Sequence, residues 1–124
     1  MPNRAQAVAE GLAYAWSSGD VEKIAAFFTE DCVYEDVCEG HAFHGRVALK
    51  AQARSVLAAI PDLRLDVTSA FGEDGWIGAE WIETGTIDGR RFSLRGASIA
   101  LMEGEKLSRE SMYTHFDGVT WLDA

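Results

Sequence analysis

A chain of 124 residues has room for one domain with a single hydrophobic core, and it reads as one domain over residues 1–124. Hydrophobic residues make up 48% of it, which excludes a disordered chain. The formal charge of −9, from 11 basic and 20 acidic side chains, opposes binding to nucleic acid or to an anionic membrane, since both require a positive surface.

In chain order, the first six residues lack an apolar signal core, and no later apolar run reaches membrane-spanning length. Ala5 to Trp16 is rich in helix formers, with Val8, Leu12, Ala15 and Trp16 at helical spacing. Ser17-Ser18-Gly19 breaks it. Asp20 then suits the N-cap of a second helix, because its carboxylate can accept from orphan first-turn N–H groups. Glu22 adds favourable charge there, and Ile24, Phe27 and Phe28 supply the apolar face. Asp31 to Val37 has strand character, so Cys32, Tyr34 and Asp36 share one face. Cys32 and Cys38 are too few for a disulfide framework and read as free thiols of a reducing, cytoplasmic compartment. Gly45 to Ile60 is a third helix with Val47, Leu49, Ala53, Val56, Leu57 and Ile60 as its core stripe, stopped by Pro61. Four strands follow, Leu63 to Phe71, Trp76 to Ile87, Arg91 to Met102 and Lys106 to Phe116. They are divided by turns at Gly72-Glu73-Asp74-Gly75, Asp88-Gly89 and Glu103-Gly104-Glu105. The expected class is α+β: a cone-shaped, curved, mainly antiparallel sheet wrapped around three N-terminal helices. Inner-face residues of several strands would converge on one pocket at the open end of the cone.

The chemistry concentrates on carboxylates. If the Cys32, Tyr34, Asp36 face is the core face, Asp36 is a desolvated acid beside an aromatic ring, suited to proton transfer. The alternative is an acid ending an edge strand in water. Trp81 and Glu83 share the alternation of Ala79. Glu83 would be a second catalytic carboxylate paired with Asp36, two acids whose pKa values are pushed apart, or else a solvent-facing residue. Trp81 and Trp16 would wall the pocket or serve as plain core. Tyr34 and Tyr14 can donate to a substrate oxygen, and Ser98 follows two small residues that leave room for a ligand. His41, in a loop expected to roof the pocket, would be a third catalytic group; His44 reads as a structural brace. No metal-ligand spacing, phosphate loop or nucleophile elbow occurs, so any chemistry is expected to be free of metal and cofactor.

Gly19-Asp20-Val21-Glu22, the Asp31 to Asp36 strand, Phe43-His44-Gly45-Arg46 and the four-strand finish resemble the nuclear transport factor 2-like (cystatin-like) superfamily. Within it they are most similar to SnoaL-like polyketide cyclases and ketosteroid isomerases. Tyr34-Glu35-Asp36-Val37 and Phe43-His44-Gly45-Arg46 resemble the isomerases' Val-Glu-Asp-Pro and Ile-His-Gly-Arg segments, which implies Asp36 as a base acting next to the carbonyl of a small apolar substrate. The isomerases' oxyanion-hole tyrosine and protonated aspartate would fall near Leu12 and near Ala97 or Ser98, where this chain has neither group. Arg109-Glu110-Ser111-Met112-Tyr113-Thr114-His115 resembles the last strand of SnoaL-like proteins, with His115 in place of an acid. Alternation puts Glu110, Met112 and Thr114 on one face of this strand and Arg109, Ser111, Tyr113 and His115 on the other, and the resemblance implies that the first face meets the pocket. It implies that His115, on the opposite face, is structural or interfacial, and that a homodimer forms through the outer face of the sheet. Without turnover, the same resemblance implies a ligand-binding or dimerisation module.

Overall fold

The computed structural model describes residues 3–122. Helix α1 spans Arg4–Ser18 and is capped by Asn3, whose side chain accepts from the Gln6 N–H. Helix α2, Val21–Ala25, is capped by Asp20, which accepts from the N–H groups of Glu22 and Lys23. Strand β1 covers Phe28–Asp36 and β2 His41–His44; α3 covers Arg46–Ala59. Strands β3 (Arg64–Glu73), β4 (Trp76–Ile87), β5 (Arg90–Glu103) and β6 (Lys106–Tyr113) complete the meander. A 3-10 turn at Phe116–Gly118 leads to β7, Thr120–Trp121.

The strands form one unclosed sheet in the order β2-β1-β6-β5-β4-β3, with β7 added beside β5. All pairings are antiparallel except β1 with β6. Register shifts in β1, in β3 and between β5 and β6 mark bulges, which bend a sheet and sharpen its twist. The bent sheet wraps the helices: α1 lies on β3 and β4, and α3 packs on β1, β2 and α2. Phe28, Phe92, Ile24, Leu49, Leu107 and Cys32 form the most deeply buried part of the core between the layers.

Several elements depart from the periodicity. The second helix stops at Ala25 because the Phe27 carbonyl accepts from the Leu107 N–H at 2.8 Å, and Phe28 pairs with Leu107 in the sheet. Phe28 is thereby the first residue of β1, three residues before the expected start. His41 to His44 is an edge strand and not a loop, since it pairs with Val33 to Asp36. Val47 is 84% exposed and leaves the core stripe of α3 to Leu49, Ala53 and their neighbours. The last long strand ends at Tyr113, and the chain turns back at Phe116 to add β7.

Close approach at Gly96 shapes the inner face. Trp81 stands opposite Gly96 in the β4–β5 ladder, and its six-membered ring occupies the space a Cβ there would take. The indole N–H then reaches the Ser98 hydroxyl at 3.0 Å. Gly96→Ala would force that ring aside, and overpacking of this kind costs about 1–3 kcal/mol. Urea unfolding of the variant should show a loss of that size with an unchanged slope. Wild-type stability would mean that Trp81 does not lie across Gly96.

Candidate ligand-binding cavity

Between α1, α3 and the inner face of the sheet lies a cavity of about 410 Å³, walled mostly by aliphatic and aromatic side chains. It falls in the size range of small-molecule sites. Pairwise register sets its layers. Ala100 on β5 stands beside Glu110 on β6, which stands beside Tyr34 on β1. Two residues along, Ala79, Ser98, Met112 and Asp36 form the next row. Trp81 and Gly96 follow, and Glu83 with Leu94 lies beyond them. Period-two alternation turns one face of each row into the cavity.

Glu110 is 9% exposed and has no side-chain hydrogen bond among the described residues. Burial alone pushes its carboxyl up to about 7. Glu83 is mostly buried, equally unpartnered, and pushed to about 7 for the same reason. Burial holds the Tyr34 phenol well above its ordinary value, reinforced by the Glu110, Asp36 and Glu83 carboxylates, so it stays a donor. Its hydroxyl is 3.5 Å from the Met112 sulfur, a weak acceptor that leaves the phenol free to exchange partners. Burial also raises Asp36, and the Glu39 N–H that donates to it at 3.3 Å partly offsets the rise.

Among the residues expected from sequence, the cavity walls contain Asp36, Glu83, Trp16, Tyr34, Trp81, Ser98, Glu110, Met112 and Thr114. The hydroxyls of Ser98 and Thr114 are already engaged, the first by the Trp81 N–H and the second as a donor to the Arg95 carbonyl at 2.9 Å. Tyr14 is not in the walls. It is 70% exposed on the far side of α1, in a shallow groove against β3, because position 14 falls off the Leu12, Trp16 stripe. His41 is also outside them, exposed at the start of β2, where it stands beside Asp36 in the ladder rather than over the pocket. Glu83 and Asp36 do not form a pair. They sit on strands separated by two others, and the register offsets them by four residues, about 13 Å along the strands at ~3.3 Å per residue.

His115 lines the cavity mouth instead of the outer face. Strand alternation ends at Tyr113, so parity no longer decides where His115 points. Its Nδ1 accepts from the Asp117 N–H at 3.1 Å, and its Nε2 stands 3.2 Å from Glu39 Oε1. This contact joins the turn after β1 to the end of β6. From α3, Gln52, Ser55, Val56 and Ala59 also face the cavity. Their i, i+3, i+4, i+7 spacing is a legible helical face, though two polar members disguise it. No Lys or Arg lines the cavity, and among the described residues no three His, Cys, Asp or Glu side chains are grouped to hold a metal ion.

The SnoaL-like domain family matches residues 8–110. The chain belongs to that family. Two crystal structures share the fold of this SnoaL-like domain. One is a hypothetical protein with a ketosteroid isomerase-like fold from Catenulispora acidiphila, in complex with trimethylamine. It is 20% identical with a TM-score of 0.84, over 90% of this chain and 87% of that one. The other is an uncharacterized cystatin-fold protein from Novosphingobium aromaticivorans, 17% identical with a TM-score of 0.73, over 90% and 98% of the two chains. At these identities the likeness shows the fold. No curated protein matches this chain in sequence.

Burial of Glu110 has a thermodynamic signature. Its folded-state value of about 7 lies above the ordinary 4.5, so the folded protein holds a proton that the unfolded chain releases between those values. The stability this gives is fully present below about 4.5 and is lost as pH rises through about 7. At 1.36 kcal/mol per pH unit the loss is about 3 kcal/mol. Glu110→Gln, which cannot ionise, should lose about 3 kcal/mol less than wild type between about pH 4 and about pH 9 in urea titrations. Parallel pH curves for the two proteins would place Glu110 in water.

Proposed function

We propose that this SnoaL-like domain binds a small, largely apolar carbonyl compound in the cavity and moves a proton on it without a cofactor, as an isomerase or cyclase does. The observation that carries this reading is the side-by-side placement of Tyr34 and Glu110, two groups that are neutral donors below about pH 7, one strand position-pair away from Asp36. They offer the phenol and carboxylic acid that the Leu12 and Ala97 or Ser98 positions lack. The Asp36 carboxylate takes the proton next to the carbonyl, and its electron pair moves onto the oxygen. Tyr34 and Glu110 donate to the oxyanion as charge develops in a water-poor site. Where the ketone is conjugated to a double bond, Asp36 returns the proton to the far carbon of the dienolate. Otherwise the enolate carbon attacks a second carbonyl carbon of the same molecule to close a ring, that C=O π bond opens to an alkoxide, and the alkoxide takes the proton from Asp36. His41 has no part in this scheme, and Glu83 is not its second acid.

The trimethylamine complex of the Catenulispora neighbour supports small-molecule occupancy of this fold. It also favours the second reading, a module that holds its ligand without turnover. A homodimer belongs to either reading: Phe71, Trp76, Ile99 and Tyr113 are exposed apolar residues on the outer face of the sheet. Cys32 and Cys38 are free thiols, which supports the cytoplasm as its compartment. Among the described residues no helix is long and apolar enough to cross a membrane.

The test is deuterium exchange from D₂O into the carbon next to the carbonyl of bound cyclic ketones. Wild type should catalyse it, with a rate that falls as pH rises through about 7, where Glu110 ceases to be a donor. Asp36→Asn should lower the rate by roughly 10²–10⁴-fold. Bound ketone that never exchanges would leave the binding module as the function.

A further inference from the structure

Glu83 is the buried group that the proton-transfer scheme leaves unused. It sits on β4, turned into the cavity, mostly buried, with no hydrogen bond or ion pair among the described residues. Its ladder neighbours are Leu65 on β3 and Leu94 on β5, both apolar. Nothing in the walls can neutralise it. The cavity contains no Lys or Arg, and its one histidine, His115, is held at the mouth by Glu39 and the Asp117 N–H. An unpartnered buried carboxyl is costly, and a natural fold retains it where a ligand or the chemistry supplies the missing partner.

The surroundings of Glu83 say what that partner is. Trp81 precedes it by two residues on the same face of β4, with its indole laid across Gly96 and its N–H already bonded to Ser98. The ring therefore offers a face and not a donor. Trp16 lines the same cavity from α1. A carboxylate two residues from Trp81, in a cavity that Trp16 also lines and that holds no Lys or Arg, suits an alkylated ammonium. The carboxylate answers the charge, and the ring faces answer the N-alkyl groups. A neutral hydroxyl would satisfy one lone pair but leave the buried charge uncompensated. The protein's own charge of −9 also draws cations toward the opening.

We propose that the ligand carries a protonated or quaternary amine, bound by Glu83 against Trp81, four residue positions along the sheet from the Asp36 row and six from the Tyr34–Glu110 row. This deepens the proposed function and rests on the cavity being a ligand site. The substrate class becomes a small amine-bearing carbonyl compound, with its oxygen toward Tyr34 and Glu110 and its nitrogen toward Glu83.

Two fragments separate the ends of such a molecule: N,N-dimethylcyclohexylammonium chloride and cyclohexyl methyl ketone, similar in size and differing in charge. Each is titrated into the full chain at pH 8 by calorimetry. The ammonium should bind at least about tenfold more tightly than the ketone, the effect of one desolvated cation–aromatic contact with its counter-ion. In Glu83→Gln that preference should collapse toward parity, and ketone binding in the same variant reports whether the cavity has formed. Ketone binding in wild type without an ammonium preference overturns this inference alone. A preference that survives Glu83→Gln overturns it too, by assigning the cation to another carboxyl. Binding of neither fragment overturns the cavity-site reading with it.

Discussion

The parallel pairing of β1 with β6 is the constraint on which the rest depends. It aligns Tyr34 with Glu110 and Asp36 with Met112. It also ends the second helix early, because Phe27 and Phe28 enter the ladder against Leu107. Parallel neighbours cannot be joined by a tight turn, and here the whole of α3 and the β3–β5 meander lies between them. The crossover that makes the pairing possible is thus the element that roofs the cavity. One hydrogen-bond pattern fixes the row of polar groups and encloses them.

Enclosure has an electrostatic consequence. Inside an apolar wall a carboxyl keeps its proton to higher pH, because burial disfavours the charged form more than the neutral one. Glu110 and Glu83 are moved to about 7 by burial alone, with no neighbouring cation to oppose it. Such groups sit poorly with stability and well with function, since a carboxyl poised near neutrality can donate, accept or answer a ligand's charge. Asp36 is different. It is less buried than Glu110, is tied to the Glu39 N–H, and is raised less, as the proposed base requires. The same side-chain chemistry at different depths yields different roles.

Much of the fold was legible in the sequence. Helical spacing located α1 and α3, Asp20 marked the start of α2, and the glycine-bearing turns divided the meander. Alternation correctly turned Tyr34, Asp36, Trp81 and Glu83 inward, since a half-buried strand leaves a period-two record. What was not legible depended on contacts distant in sequence. Four residues of β2 carry too little pattern to separate from a loop, and only their pairing with β1 makes them a strand. Tyr14 looked suited to a substrate, yet its position on α1 faces away from the cavity. His115 was assigned by parity past the point where its strand ends. Tyr34 and Glu110 were each read as pocket residues, but their side-by-side placement escaped sequence reading because it is assembled from two strands whose alignment no local signal states.

The central claim is that Glu110 is a buried cavity carboxyl with no side-chain partner among the described residues. The most direct measurement is a ¹³C NMR titration of its side-chain carboxyl in the unliganded protein, assigned with Glu110→Gln. A midpoint near 7 is the expected result. A midpoint near the ordinary 4.5 would mean that solvent or a partner satisfies the group, and both the burial of Glu110 and its proposed oxyanion role would be contradicted.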